Sequence, residues 1–254
     1  MRLTALPAFQ DNYIWALQVP DGPTLLIDPG QAQPVLDAVA DGLRPAAVLL
    51  THHHDDHIGG VAELRRHWPQ LPVYAPRDER IQLHCQRVDD GMRLQLSGFD
   101  LEVLAVPGHT RSHVAFHGHG LLFCGDALFS LGCGRMFEGT PAQMLGSLKR
   151  LAALPAQTRV CCAHEYTLGN AAFARHVDPD NAALQRRQQE VLDMRNRCVP
   201  SLPSLLADEL ACNPFLRTGA APLIAAVAAR LGRAPQDEVE VFAELRRWKD
   251  GFRA

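Results

Sequence analysis

A cluster of histidines and aspartates is the part of this sequence with the most evident chemistry. Four imidazoles and two carboxylates follow one another directly: His52, His53, His54, Asp55, Asp56 and His57. The spacing His-x-His-x-Asp-His supplies nitrogen and oxygen ligands that zinc, iron and manganese accept, so it predicts a metal site with two centres. The alternative is a histidine-rich surface loop that binds metals adventitiously. Such a loop would not require an acidic pair and a double glycine.

The flanking sequence predicts that the cluster is a turn at the carboxyl end of a strand. Residues 46–50 form a short apolar run typical of a buried strand, and residues 58–68 open a helical pattern. Side chains two residues apart in an extended turn point the same way, so His52 and His54 can bind one metal. The next ligands then reach a neighbouring point: Asp56 and His57. Two members of the cluster face elsewhere: His53 and Asp55.

Three further residues decide whether the metal sites can be completed. Each follows an apolar run, as His52 does: His109, Asp126 and His164. Four strand ends would then present ligands at one edge of a layered sheet. A lone His109 or His164 would more often be an ordinary loop histidine, but beside the first cluster the ligand interpretation is favoured.

Two residues near these ligands have open roles. Thr51 precedes the cluster, and Asp28 ends the apolar run 25–27. Each could hold a ligand imidazole in place. Each could equally be structural, as a β-branched strand end and a turn-forming Asp-Pro-Gly.

Length and composition fit a globular chain of one large or two ordinary domains. The chain has 254 residues, 47% of them hydrophobic, which allows a sizeable core. Neither a signal peptide nor a membrane span is evident, so we expect a cytoplasmic protein. The odd number of cysteines, seven, with no Cys-x-x-Cys pair, favours reduced thiols. Three of them are interpreted as small buried strand residues: Cys124, Cys161 and Cys162. For Cys133, downstream of Asp126, the alternative is a reactive thiol, and a packing role is favoured.

The charge distribution limits the class of substrate. The net charge of −3 divides into 13 basic and 17 acidic residues over positions 1–165, and 12 basic and 11 acidic over 166–254. Neither part offers a basic patch for nucleic acid. Small anionic substrates remain compatible with this balance.

The pattern of elements changes near residue 165. Before it, strand-like runs alternate with helical patterns such as 34–40 and 141–151, the latter with Thr140 placed to cap. After it, the signals are almost entirely helical: 171–176, 181–196, 203–210, 222–231 and 237–249. We therefore predict two domains, residues 1–165 for metal binding and residues 166–254 as a helical domain.

Several motifs together resemble a known family. They are residues 7–13, Asp28-Pro29-Gly30, the histidine cluster, residues 107–110, Gly125-Asp126, residues 132–135, residues 164–167 and Asn213-Pro214-Phe215-Leu216-Arg217. The chain is similar throughout to the metallo-beta-lactamase superfamily, and within it to the hydroxyacylglutathione hydrolase (glyoxalase II) family. Pattern and resemblance together predict an α/β fold, the metallo-beta-lactamase αβ/βα sandwich, with a carboxyl-terminal helical domain.

The resemblance implies seven ligands for two divalent metal ions. It assigns one metal to His52, His54 and His109, a second to Asp56, His57 and His164, and a bridging role to Asp126. Zinc is the expected metal, with iron or manganese as alternatives. Catalytic roles are implied for His54, Asp56 and Asp126, with Asp56 primarily a ligand that also orients the attacking water.

The last helix has two interpretations. An apolar stripe is predicted at Val241, Leu245, Trp248 and Phe252. On sequence alone, Arg246 and Lys249 would form a solvated face. The resemblance implies instead that these two bind the glycine end of glutathione, together with Arg135 and Tyr166. Phe137 stands where many relatives have tyrosine, so one hydroxyl contact is missing.

The activity implied is hydrolysis of S-D-lactoylglutathione to D-lactate and glutathione, the second step of methylglyoxal detoxification. The expected partner is this small thioester, with no nucleic acid or membrane, and the expected state is a monomer. Alternatives within the superfamily are a lactonase, a beta-lactamase-like enzyme, or a persulfide dioxygenase with a single iron. A non-catalytic metal-binding protein is the alternative from another class, but its coordination sphere would be closed.

Overall fold

The computed structural model describes residues 1–253. Its contacts divide the chain into two compact units. The first unit contains residues 1–105 and 112–125, and the second contains residues 106–111 and everything from Asp126 onwards.

A mixed sheet forms one layer of the first unit. Its strands are β1 (Arg2–Ala8), β2 (Asn12–Gln18), β3 (Thr24–Ile27), β4 (Pro45–Leu49), β5 (Val73–Pro76) and β6 (Gln86–Val88), in that spatial order. Strands β1, β2 and β3 pair antiparallel, and β3, β4, β5 and β6 pair parallel. Because Ile27 pairs with Leu49 in the parallel register, the chain leaves β3 and β4 at the same edge of the sheet.

Three helices connect the strands of this sheet: α1 (Gln33–Ala40), α2 (Asp55–Ile58) and α3 (Val61–His67). Apolar side chains of the sheet and of these helices form one buried core, which includes Leu26, Val35, Val48 and Leu64. Strand β3 is buried throughout and β4 from Ala47 onwards, which explains the apolar runs 25–27 and 46–50.

The first unit also contributes four antiparallel strands to a second sheet. They are β7 (Arg93–Leu96), β8 (Phe99–Ala105), β9 (Val114–Gly118) and β10 (Leu121–Gly125), in the spatial order β10-β9-β8-β7. Strand β10 is fully buried, and Asp126 follows its last residue.

The second unit is mainly helical. Its short strands are β11 (Leu128–Phe129), β12 (Gly132–Cys133), β13 (Arg159–Cys162) and β14 (Ser204–Leu205). Its helices are α4 (Pro141–Ala152), α5 (Thr167–Val177), α6 (Ala182–Asn196), α7 (Leu206–Cys212), α8 (Ala221–Leu231) and α9 (Glu238–Gly251).

Local capping signals account for the predicted helix boundaries. The Thr140 side chain accepts from the Gln143 backbone, and the Gln143 side chain accepts from the Thr140 backbone, so α4 begins with a capping box as predicted. Asn181 and Asp237 cap α6 and α9 through their side chains alone, each accepting from the backbone N–H three residues on. Helices were predicted in all five segments after residue 165, and helices occur there.

Three predictions about elements were wrong in part. The histidine cluster is not only a turn, because Asp55–Ile58 forms one turn of helix. The segment 203–210 begins as a strand, since Ser204 and Leu205 pair with β13 before α7 starts. On α9, Trp248 is only partly buried, and Phe252 lies beyond the helix end, so the predicted apolar stripe is incomplete.

The structure also addresses the cysteines and membrane segments. All seven cysteines are free, and Cys124, Cys133, Cys161 and Cys162 are buried as predicted. No helix within residues 1–253 has the length and apolar character needed to cross a membrane. The predicted domain boundary at residue 165 stays a prediction.

Candidate active site

In the first unit, Asp28 organises the start of the histidine cluster. Its Oδ1 accepts from the backbone N–H of Thr51 at 2.8 Å, and its Oδ2 accepts from the Thr51 hydroxyl at 2.7 Å. Its Oδ2 also lies 3.0 Å from Nδ1 of His57. The Thr51 hydroxyl in turn lies 3.0 Å from Nδ1 of His52. Asp28 and Thr51 therefore orient two imidazoles that are predicted ligands, in addition to any structural role.

Four donor groups of the cluster lie together in this unit. His52 Nε2 lies 3.0 Å from His54 Nδ1, and His57 Nε2 lies 3.5 Å from Asp56 Oδ2. The rings of His52 and His57 are 4.0 Å apart between centroids. Asn12, whose role the sequence did not indicate, donates to Asp56 Oδ2 at 3.0 Å and so fixes that carboxylate.

The other two members of the cluster point away, as predicted. Nδ1 of His53 lies 3.6 Å from Oδ2 of the nearly buried Asp78. Arg80 donates to Asp78 and holds the pKa of that carboxyl well below its usual range. The remaining member, Asp55, is exposed in the first turn of α2.

Close packing of the backbone explains the glycines around the cluster. A Cβ at Gly30 would lie 1.9 Å from the carbonyl oxygen of Asp56, and one at Gly60 would lie 2.6 Å from the carbonyl oxygen of Pro29. Both positions therefore require glycine. The Asp-Pro-Gly segment packs tightly against α2 and the start of α3, which holds Asp28 beside His57.

In the second unit, Asp126 lies between two histidines. Its Oδ2 is 3.4 Å from Nε2 of His109, and its Oδ1 is 3.4 Å from Nε2 of His164. All three residues are buried. Nδ1 of His109 lies 2.8 Å from the backbone carbonyl oxygen of Arg135, an acceptor that fixes the ring orientation.

Both donor sets have the chemistry of a divalent metal site. Imidazole nitrogen and carboxylate oxygen suit zinc, iron and manganese. His52 and His57 each direct Nδ1 to a protein oxygen and Nε2 into the cluster, and His109 directs Nδ1 to the Arg135 carbonyl oxygen and Nε2 towards Asp126, the arrangement that metal-binding histidines adopt. The residues present therefore fit a metal of this class.

A cavity of about 630 Å³ opens beside His109 and Asp126 within the second unit. Its volume lies in the range of small-molecule sites. The lining includes every residue predicted to bind substrate: Arg135, Phe137, Tyr166, Arg246 and Lys249. This one pocket thus joins predicted metal ligands to predicted recognition residues.

Arg246 is buried, so the interpretation of Arg246 and Lys249 as a solvated face was wrong. Its Nη1 donates to the carbonyl oxygen of Cys133 at 2.7 Å, and its guanidinium lies 5.1 Å from the centroid of the Phe215 ring. Lys249 Nζ donates to the carbonyl oxygen of Gly169 at 3.0 Å. Burial, with the nearby charges of Arg246 and Arg135, lowers the pKa of Lys249.

Aromatic rings line the cavity near His109 and His164. Tyr166 stacks on His164 with 4.7 Å between centroids and 9° between planes. Phe129 meets both of these rings edge-on. Phe137, although largely exposed, sets its ring 5.2 Å from that of His109. The pocket wall next to His109 is therefore apolar.

Two buried polar residues that sequence reasoning missed hold the hairpin formed by β11 and β12. Glu209 accepts from the backbone N–H of Leu131 at 2.7 Å. Asn213 donates to the carbonyl oxygens of Phe129 and Gly132 at 3.0 and 2.9 Å. Asn213 opens a motif of the resemblance, yet its partners lie 81 or more residues away and leave no local signal. Burial raises the pKa of Glu209.

Cys133, at the end of this hairpin, is a packing residue. Burial raises the pKa of its thiol to about 11, so the thiolate is scarce at neutral pH. The prediction of a packing role over a reactive thiol agrees with this environment.

Comparison with known proteins agrees with these observations. A family model described as the metallo-beta-lactamase superfamily matches residues 9–164, and one described as the hydroxyacylglutathione hydrolase C-terminus matches residues 165–252. A hydroxyacylglutathione hydrolase of Xanthomonas euvesicatoria pv. vesicatoria (strain 85-10) is 63% identical over 255 residues, covering 100% of both chains.

Solved structures show the same fold. The BLEG-1 B3 metallo-beta-lactamase superposes with a TM-score of 0.63 at 22% identity, covering 85% of this chain and 98% of that one. The crystal structure of TTHA1623 in a di-iron-bound form superposes with a TM-score of 0.55 at 33% identity, covering 65% of this chain and 92% of that one.

The fold and the family match place this chain in the metallo-beta-lactamase superfamily. The likeness to the Xanthomonas protein extends over the whole length and includes the carboxyl-terminal helices. Within the superfamily, the chain belongs to the hydroxyacylglutathione hydrolase family. The resemblance inferred from the motifs is confirmed, as is the predicted fold class with its carboxyl-terminal helical region.

Proposed function

We propose that this protein is a metal-dependent thioesterase that hydrolyses S-(2-hydroxyacyl)glutathione. S-D-lactoylglutathione is the proposed substrate, with D-lactate and glutathione as products, in the second step of methylglyoxal detoxification. The observation that carries the proposal is the cavity of the second unit, which is lined by His109 and Asp126 as well as by three cations. A thioester with an anionic carrier needs both a hydrolytic centre and cationic partners for its carboxylates.

We assign two divalent metals per chain to seven ligands. The first metal is assigned to His52, His54 and His109, the second to Asp56, His57 and His164, with Asp126 bridging. Family membership and the donor chemistry support this set, as does the di-iron form of a relative that is 33% identical. Zinc is the proposed metal, and iron or manganese would suit the same donors.

Divalent cations held by these residues would lower the pKa of a bound water toward neutrality and polarise a carbonyl. The chain's own residues fix the geometry in which that happens. Asp28 orients His57, and Thr51 orients His52, so each ring presents its Nε2 to the cluster. Asn12 holds the Asp56 carboxylate, which we assign to orient the attacking water as well as to bind metal.

Recognition of the thiol carrier is assigned to the far side of the cavity. Arg246 and Lys249 would bind the glycine carboxylate of glutathione, with Arg135 and Tyr166 contributing at the cavity wall. The departing thiolate of glutathione is a good leaving group and needs little acid help. Phe137 supplies apolar contact area to the substrate but, lacking a tyrosine hydroxyl, no hydrogen bond.

We assign metal binding to residues 1–165 and carrier recognition to residues 166–254, to which Arg135 and Phe137 of the first segment also contribute. We place the reaction in the cytoplasm because all seven cysteines are free, which suits a reducing compartment. We further propose that the protein acts as a monomer on this small-molecule partner.

A substrate panel tests the function. Zinc-loaded protein should hydrolyse S-D-lactoylglutathione far faster than a lactone or a β-lactam. Preference for the lactone or the β-lactam would favour the corresponding superfamily activity. Oxygen consumption with glutathione persulfide by protein holding one iron would favour the dioxygenase alternative.

A further inference from the structure

Asp250 lies among the cations of the cavity that we assign to glutathione. It is near the end of α9, and its Oδ1 accepts from Nη2 of Arg246 at 3.0 Å. The same oxygen lies 3.5 Å from Nε of Arg135. Asp250 lines the cavity together with both arginines and Lys249. A carboxylate of the protein thus already faces the groups that would bind a carboxylate of the ligand.

Arg246 does not depend on Asp250 for its position. Its Nη1 is held by the Cys133 carbonyl oxygen, and its guanidinium lies over the Phe215 ring. The Arg246 side chain is 5% exposed, whereas that of Asp250 is 44% exposed. Loss of the Asp250 charge would therefore leave the buried arginine in place and remove only a half-exposed counter-ion.

We propose that Asp250 is an affinity-determining residue, an internal counter-ion that competes with the ligand's glycine carboxylate for Arg135 and Arg246. The inference rests on the proposed function. An entering carboxylate must share these cations with Asp250 or displace it, and the two negative charges repel each other. Substrate and glutathione carry the same carboxylate, so Asp250 weakens both and promotes release of the product.

The size of the effect follows from the position of Asp250. Two carboxylates that share cations at a partly exposed site repel each other by an amount worth about threefold to tenfold in affinity. Since Asp250 is half-exposed, dissolved salt screens this repulsion. The effect should therefore shrink as ionic strength rises.

The test compares Asp250→Asn with wild-type protein and with Asp89→Asn. Asp89 is a matched control in the first unit: its side chain is 49% exposed and pairs with Arg77 at 2.7 Å, and it does not line the cavity. Both variants change net charge equally. The measurements are KM for S-D-lactoylglutathione and the inhibition constant of glutathione, at low and high salt.

We expect Asp250→Asn to lower KM and the glutathione inhibition constant by about threefold to tenfold at low salt, and less at high salt. Asp89→Asn should match wild type. A glutathione analogue whose glycine carboxylate is an amide should bind wild type and Asp250→Asn equally. This last result separates competition at the carboxylate from a general change in charge.

Two results would overturn the inference in distinguishable ways. In the first, wild type binds glutathione better than the amide, but Asp250→Asn binds glutathione no better than wild type does. Asp250 is then not a competitor, and the proposed function stands. If wild type does not distinguish glutathione from the amide, the assignment of this cavity to the glycine carboxylate is wrong, and the inference falls with it.

Discussion

Replacing Asp28 with asparagine tests how this fold prepares the proposed metal ligand His57. Asp28 accepts hydrogen bonds from the backbone and the hydroxyl of Thr51, and its Oδ2 lies 3.0 Å from Nδ1 of His57. Asparagine has the same size but one oxygen fewer. Because the Thr51 N–H requires an acceptor, the amide oxygen takes the place of Oδ1, and the amide nitrogen then faces His57.

This exchange reverses the hydrogen bond to the imidazole. The amide donates to Nδ1 of His57, so the neutral ring carries its proton on Nε2, the atom that lies near Asp56. A protonated ring nitrogen cannot bind a cation. Loss of such a supporting partner costs about tenfold to a hundredfold in metal affinity.

The assay is zinc competition with a fluorescent chelator, which requires no turnover. Asp78→Asn is the matched control, since the side chains of Asp78 and Asp28 are 5% and 4% exposed, but Asp78 lies beside His53, which is not assigned as a ligand. We expect Asp28→Asn to lose about tenfold to a hundredfold in affinity and Asp78→Asn to stay near wild type. Equal loss in both, with folding intact by circular dichroism, would refute the tautomer argument.

Four further experiments probe the metals, the carrier site and the hairpin. Elemental analysis of protein reloaded with zinc should give close to two metals per chain, and a single tightly bound metal would reject the binuclear assignment. His54→Ala should abolish turnover, whereas His53→Ala should retain most of it. Equal losses would show that the wrong histidines of the cluster are assigned as ligands. Arg246→Ala combined with Lys249→Ala should raise KM for lactoylglutathione about tenfold to a hundredfold, with a smaller change in kcat. A charge-assisted contact to a carboxylate is worth roughly 1.5 to 3 kcal/mol, which gives this range. An unchanged KM would contradict the assigned role of these two cations. Glu209→Leu leaves the Leu131 N–H without an acceptor and should lower the free energy of unfolding by about 1 to 3 kcal/mol. Glu209→Gln keeps an acceptor and should lower it less. Urea unfolding measures both changes.

Local sequence patterns determined most of the elements in this protein. The capping box of α4 involves residues three apart, so its signal lies within one short segment. The same holds for the histidine cluster, whose residue types and spacing by themselves indicate metal chemistry. Motifs of this kind also carried the family resemblance, and with it the fold class.

Contacts between distant segments were decided only by the tertiary structure. The burial of Arg246 depends on the carbonyl oxygen of Cys133, 113 residues earlier, and its charge pattern alone resembles an ordinary exposed helix face. The role of Asp28 depends on His57, 29 residues later, because only packing of the Asp-Pro-Gly segment against α2 brings the two together. Helical and strand periodicities report which face of an element is apolar. They do not report which distant donor will satisfy a buried polar group, since any segment with the right atom can do so once folding has placed it there.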